Sequence, residues 1–410
     1  MPTTPVSFRR MTFAALIVFL LIASSWASEK VLHNFGITGA DGEQPFGGLI
    51  LDHKGNLYGT TYSGGGLSMG TVFEMTPNGS GGWTTVVLHN FGQDKDGVHP
   101  EAGLVFDADG NLYGTTYAGG SRGFGTVYEM SPDGSGGWAE KVLHNFGSGL
   151  DGYEPEAGLI LDGSGNLYGT TYNGGSHSFG VVFEMSPKGS GGWDEKVLHN
   201  FGAARFDGTN PWASLVFDGT GNLYGTTSAG GSASVGTVFE MTPNGGGRWT
   251  ETVIHSFGIG DDGNSPEHDS LILDGMGNLY GTTFYGGGFN KGTAYKIGPN
   301  GGGGGWTETI IHNFGRSTDG QSPYSGLIFD GSGNLYGTTG FGGSNNKGTV
   351  YKISPNGSGG WTETVLHNFG SGSDGNEPIG GVILDGAGNL YGTTYNGGSH
   401  TWGTAYEVIP

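Results

Sequence analysis

Cysteine is absent from the 410 residues. That excludes thiol nucleophiles, disulfide frameworks and thiolate metal centres together, so stability has to come from packing. Positive charge is scarce: 16 Lys and Arg stand against 37 Asp and Glu, for a net charge of −21. Phosphate backbones are held by clustered Lys and Arg, so nucleic acid is excluded as a partner and anionic membranes are disfavoured. An acidic surface instead keeps an exported protein soluble. No stretch shows helical periodicity, and no phosphate-binding Gly-x-x-x-x-Gly-Lys-Ser/Thr or His-Glu-x-x-His is present. Nor does any Gly-x-Ser-x-Gly string open a helix, as a nucleophile elbow requires.

Against these absences stands a repeat. Gly-Asn-Leu-Tyr-Gly-Thr-Thr starts at Gly55, Gly110, Gly165, Gly221, Gly277, Gly333 and Gly388, at intervals of 55 or 56 residues. Spacing that regular makes the whole chain one repeat architecture. Ninety glycines and sixteen prolines would read as disorder without a period. Here they sit at fixed offsets from apolar positions and act as turn residues.

One copy, Gly103 to Phe146, reads as four strands. Leu104-Val105-Phe106 is a short apolar strand. Asp107 to Asn111 turns the chain, with Gly110 free to take positive φ. Leu112 to Tyr117 is rich in aromatic and β-branched residues. Thr126 to Met130 and Trp138 to Phe146 follow, each after a glycine loop. Seven such units predict an all-β, seven-bladed β-propeller of four-stranded antiparallel blades. A β-solenoid is the alternative, and the ends of the chain decide against it. Lys30 to Phe35 reads as a fourth strand without its first three, and Gly403 to Val408 as a third strand without its fourth. Joined, they complete one blade, which a closed ring needs and an open rod does not.

The N-terminus reads as a signal peptide over residues 1–27: Arg9 and Arg10, an apolar run from Met11 to Ile22, then Ser25 and Ala27 before a cut at Ser28. The run is too short for a comfortable membrane span, so no stable insertion is expected after its removal. A retained N-terminal anchor is the other reading. The expected mature protein is a propeller over residues 28–410, secreted or periplasmic, and a monomer.

In these motifs, together with the Gly-Thr-Val-Phe-Glu-Met strand and the Trp…Val-Leu-His-Asn-Phe strand, the chain resembles the GloVer tandem repeat family, the choice-of-anchor tandem repeat proteins of bacteria. The likeness covers residues 30 to 410. It implies export, with varied C-terminal sorting signals among members; Pro410 directly follows a strand here, with no hydrophobic tail, so it does not imply a surface anchor. It brings no biochemical activity. The Asp-x-x-Gly-Asn-Leu-Tyr hairpin is also similar to those of NHL and gluconolactonase-type propellers.

Candidate site residues divide into those every copy shares and those that differ. His33, His89, His144, His199, His255, His312 and His367 recur in phase on the fourth strand. Three strand spacings put them about 14 Å outside the inner strand, too far for one shared ion with ligands at roughly 2 Å. A repeated structural hydrogen bond is expected instead. Asp41, Asp96, Asp151, Asp207, Asp262, Asp319 and Asp374 open Asp-Gly-x-x-Pro turns. Calcium uses such carboxylates, but without a dense ligand cluster in the sequence a turn-capping role is expected, and no cofactor or metal.

Copies disagree just after the repeat proline, where Phe46, Glu101, Glu156, Trp212, Glu267, Tyr324 and Ile379 should ring the channel mouth. Phe46, Trp212 and Tyr324 with Glu101, Glu156 and Glu267 suit a carbohydrate or protein ligand, the aromatics stacking and the carboxyls bonding hydroxyls. The fifth copy inserts one residue and reads Glu267-His268-Asp269. Opposed carboxylates with His268 as auxiliary base would support hydrolase or lyase chemistry; equally, the aromatics could plug the channel. The loops between second and third strands should share this face, and Lys291, Lys296, Lys347 and Lys352 concentrate positive charge in copies five and six.

Overall fold

The computed structural model describes residues 27–189, 191–258, 261–268, 270–301 and 304–410. All but one of the 27 residues read as a leader lie outside them. Among the described residues every regular element is a strand, and no helix is long and apolar enough to cross a membrane.

Seven antiparallel sheets of four principal strands are arranged as a propeller. The first blade contains Ile50–Leu51, Leu57–Thr61, Thr71–Pro77 and Trp83–Asn90 in order from the axis outward. In the seventh, Ile383–Leu384, Leu390–Thr394 and Thr404–Ile409 are completed by Ser28–Asn34. That last pairing is antiparallel with Val31 opposite Tyr406, so the ring closes between the two ends of the chain as expected.

The inner strands are shorter than the sequence implies, two residues in each of the seven blades. The residues just before them leave the ladder to bridge blades: Thr60 Oγ1 donates to Ala102 O at 3.0 Å and Thr115 Oγ1 to Ala157 O at 3.0 Å. Thr393 Oγ1 repeats this across the closure, reaching Gly47 O at 3.4 Å. The first threonine of Gly-Thr-Thr makes this tie to the next blade from Thr60, Thr115, Thr170, Thr282, Thr338 and Thr393. In six copies the second forms a buried hydroxyl pair within its blade, such as Thr61 with Thr71 at 2.8 Å; in the third, Val181 stands at the partner position and its N–H donates to Thr171 Oγ1 at 3.2 Å.

Apolar packing lies between blades rather than within one central core. Tyr58 and Val72 of the first blade pack with Leu104, Leu112, Tyr128 and Met130 of the second, with Phe91 between them. The phenylalanine ending each fourth strand anchors these seams: Phe35 meets Phe73 at 5.1 Å, Phe91 meets Tyr128 at 5.1 Å and Phe369 meets Tyr406 at 4.9 Å. Glycine in the middle of the second strand makes room for that aromatic. A Cβ on Gly59 would lie 2.7 Å from Phe73 Cζ and 2.9 Å from Leu49 Cδ2.

Candidate functional site

The mouth is built on the Asp-Gly-x-x-Pro loops. The residue before each proline adopts positive φ: Gln44, His99, Glu154, Asn210, Ser265, Ser322 and Glu377, all between 51° and 61°. Non-glycine residues pay for that conformation, so it persists only where surroundings impose it. The imposition is a pair of backbone bonds. Glu154 N donates to Phe124 O of the preceding blade at 3.0 Å, and Glu154 O accepts from Tyr172 N of its own blade at 2.9 Å. Gln44 is held the same way by Trp402 O and Tyr62 N, which carries the pattern across the ring closure. The loop after each second strand thus lies on the mouth face, as the sequence predicts. Small ladders absent from the sequence reading stiffen this rim, among them Gly97–Val98 with Ala118–Gly119.

A cavity of about 350 Å³ runs along the axis. Phe46, Glu101, Glu156, Trp212 and Ile379 line it, as the position after the proline suggests. In the fifth blade His268 takes the lining place expected of Glu267, because the inserted residue shifts the frame and His268 absorbs the turn at φ 39°. Asp269 lies outside the described residues. The aromatics gather on one side. His268 lies 4.1 Å from the Trp212 ring, 5.1 Å from Phe46, and stacks on Tyr324 at 4.8 Å and 22°. Phe46 and Tyr324 close the group at 6.0 Å. This cluster narrows the mouth without filling the channel. Trp212 Nε1 and His268 Nε2 are buried in it without a hydrogen-bond partner.

Glu101 and Glu156 occupy the other side, whereas Glu267 stays beside the aromatics, next to His268 and near Tyr324. Glu156 is 7% exposed, and burial, then the charges of Glu101 and Glu154, pushes its pKa up to about 9. Burial, then Glu154, lifts Glu101 to about 7. Burial alone raises Glu267 to about 7 and lowers His268 to about 3. At neutral pH Glu156 therefore holds its proton and is able to donate, and His268 is neutral.

Several mouth residues escaped the sequence reading. Glu154 sits beside Glu101 and Glu156 and accepts from Asn173 Nδ2 at 2.6 Å. Tyr62, Tyr117, Tyr172 and Tyr395 follow the Gly-Thr-Thr of their copies, and the mouth carboxylates raise the pKa of each after burial has done so. The signal was present in the sequence: the position after Gly-Thr-Thr also carries Ser228, Phe284 and Gly340, and so varies like the mouth itself. The four lysines do not form one patch. Lys291 O and Lys347 O accept rim hydrogen bonds from Ser322 N and Glu377 N, whereas Lys296 and Lys352 lie over Tyr280 and Tyr336 near the hairpin ends.

Far from the axis, the repeated histidines and turn aspartates meet. His89 Nε2 lies 2.9 Å from Asp96 Oδ2, His144 Nε2 3.0 Å from Asp151 Oδ2 and His367 Nε2 3.1 Å from Asp374 Oδ2. His33, His255 and His312 pair alike with Asp41, Asp262 and Asp319. The structural bond expected of each histidine is thus present there, with the turn aspartate as its partner. In the remaining copy His199 Nε2 and Asp207 Oδ2 stand at 3.6 Å, beyond a hydrogen bond.

The chain belongs to the Gloeobacter/Verrucomicrobia repeat family, whose sequence pattern matches residues 22–194, 135–327 and 303–410. No curated protein matches it. A protein of unknown function from Dyadobacter fermentans has a similar structure at 14% identity and a TM-score of 0.45, covering 94% of this chain and all of that one. A gluconolactonase from Xanthomonas campestris is similar at 14% identity and a TM-score of 0.44, covering 83% of this chain and 90% of that one. At these TM-scores neither likeness bears on activity.

Proposed function

We propose that this member of the Gloeobacter/Verrucomicrobia repeat family is an exported binding module that holds a carbohydrate at its channel mouth. One observation carries the reading: aromatic faces (Phe46, Trp212) and carboxyls (Glu101, Glu156) line the same cavity of about 350 Å³. Ligand sites of that kind are largely apolar, with a few convergent polar groups that fix orientation. Sugar rings offer apolar C–H faces to aromatic rings and hydroxyls to carboxyls. A carboxyl that stays protonated, as Glu156 does near neutral pH, donates to a hydroxyl and accepts from one without placing a full charge against a neutral sugar. The leader read over residues 1–27 supports export to the periplasm or exterior. Ring closure removes the sheet edges through which strands associate, which supports a monomer.

Glycan-array screening followed by calorimetry tests the reading. A bound oligosaccharide should lose about tenfold or more in affinity in both Trp212→Ala and Glu101→Ala/Glu156→Ala. Unchanged affinity in Trp212→Ala moves the site away from the mouth. A protein ligand and no glycan would keep the module and reject the sugar.

The unequal proton affinities of Glu101 and Glu156 favour a second reading, a hydrolase or lyase acting on a glycoside or lactone. Glu156 would then serve as acid and Glu101 as base. Turnover lost in Glu101→Gln with binding retained would establish it; no turnover in the wild type on bound glycans removes it.

A further inference from the structure

Between blades, the His–Asp pairs acquire a third member. In five blades the fourth strand carries, two residues after its tryptophan, a glutamate (Glu140, Glu195, Glu251, Glu308 or Glu363) that faces the seam with the preceding blade, and Glu29 holds the same place in the closing strand. His199 and Asp207 meet Glu251, His255 and Asp262 meet Glu308, His312 and Asp319 meet Glu363, and His367 and Asp374 meet Glu29. In each group one nitrogen and two carboxylate oxygens lie within 4.8 Å of one another. Two elements of one blade junction and the strand of the next blade supply the three, so each group spans a seam.

These atoms are buried and poorly satisfied. Asp207, Asp262 and Asp319 have side chains 3%, 6% and 7% exposed. Their Oδ1 atoms have no hydrogen-bond partner, nor do Oε1 of Glu29, Glu251, Glu308 and Glu363. At the His199 seam the imidazole Nε2 is unpartnered as well. At that seam three buried polar atoms converge without partners, at a cost of about 1–3 kcal/mol each; at His255, His312 and His367 the imidazole bonds its aspartate and the unpartnered atoms are carboxylate oxygens. A proton on the glutamate would satisfy one oxygen and leave the imidazole untouched. One cation about 2.0–2.2 Å from each atom would satisfy all three and neutralise the carboxylates.

We propose that the seams at His199, His255, His312 and His367 are binding sites for a divalent cation of the zinc class, each formed by the fourth-strand histidine, the turn aspartate and the next blade's glutamate. Imidazole nitrogen with carboxylate oxygen suits zinc, whereas calcium and magnesium take oxygen donors. Each ion links two blades. At the His367 seam it also holds Glu29, which belongs to the closing N-terminal strand, so that ion clips the ring shut. Among the described residues the other three seams hold no such group: at His33 and Asp41 the glutamate position is Thr85, and at His89, Asp96 and Glu140, as at His144, Asp151 and Glu195, the same residue types do not gather within 4.8 Å.

Zinc titration of the full chain, stripped with a chelator, tests the proposal by calorimetry and thermal melting. Uptake should approach four ions per chain, one for each triad, with a rise in Tm. The triple variant E251Q/E308Q/E363Q keeps side-chain shape and should retain one ion, at Glu29. Should it fail to fold, E251Q alone should lose one. Thr85→Glu should gain one. Uptake below one ion at on the order of 100 µM zinc, equal uptake in wild type and Glu→Gln variants, or calcium binding as tight as zinc would each overturn it.

Discussion

Val31 pairs with Tyr406 across the strand that joins the two ends of the chain. Tyr406 is fully buried and meets Phe369 of the sixth blade edge-on, with ring centres 4.9 Å apart, so the pairing closes both a sheet and a seam. Local contacts build every other blade from one continuous stretch. Only this one depends on residues separated by nearly the whole chain.

Deleting residues 28–35 should therefore unzip the seventh blade and expose the edge of Thr404–Ile409. An exposed strand edge recruits other chains. The expected outcome is a lower Tm and dimers or larger species, seen by light scattering after size exclusion. A monomer with wild-type Tm would mean that the closing strand contributes little.

Seam packing predicts a size limit at the second strand. Gly59→Ala places a Cβ against Phe73 and Leu49 at 2.7 and 2.9 Å. Overpacking a filled core costs about 1–3 kcal/mol. Phe91→Ala, in a fully buried position, should cost about 3–5 kcal/mol. Urea unfolding measures both, and the order should be Phe91→Ala worse than Gly59→Ala.

The mouth carboxyls predict how stability varies with pH. The folded pKa of Glu156 is raised from 4.5 to about 9, so the folded state holds a proton that the unfolded state releases. Its contribution is fully present below the unfolded value and is lost as pH rises towards about 9. Wild-type Tm should accordingly fall between about pH 5 and pH 9, and Glu156→Gln should reduce that fall. His268, lowered to about 3 by burial, should show no titration of its ring proton resonances by NMR above about pH 5. A wild-type pH profile matching that of Glu156→Gln would refute the assignment.

Much of the architecture was legible in the chain because it is local and repeated. Asp107 shows why: its Oδ1 accepts from Asp109 N and Asn111 N at 2.9 and 2.8 Å, so the turn is specified by residues at most four apart. Copies of such a hairpin at a fixed period, with a lone fourth strand at one end, leave a closed ring as the consistent solution. The variable position after the proline was equally readable, and five of the seven residues there reach the cavity. His268 replaced Glu267 because one inserted residue rotates which side chain faces inward, a matter of backbone conformation that composition does not carry.

The seam triads lay beyond the sequence for a different reason. His199 and Asp207 are close in the chain, but Glu251 comes from the next blade's outermost strand. Their convergence depends on the lateral packing of two sheets, set by Phe201 against Phe239 and its equivalents. Short-range turn chemistry and period determined strands, blade number and closure. Which charged groups share a buried space was decided only when whole blades packed, because desolvation and proximity belong to the assembled ring.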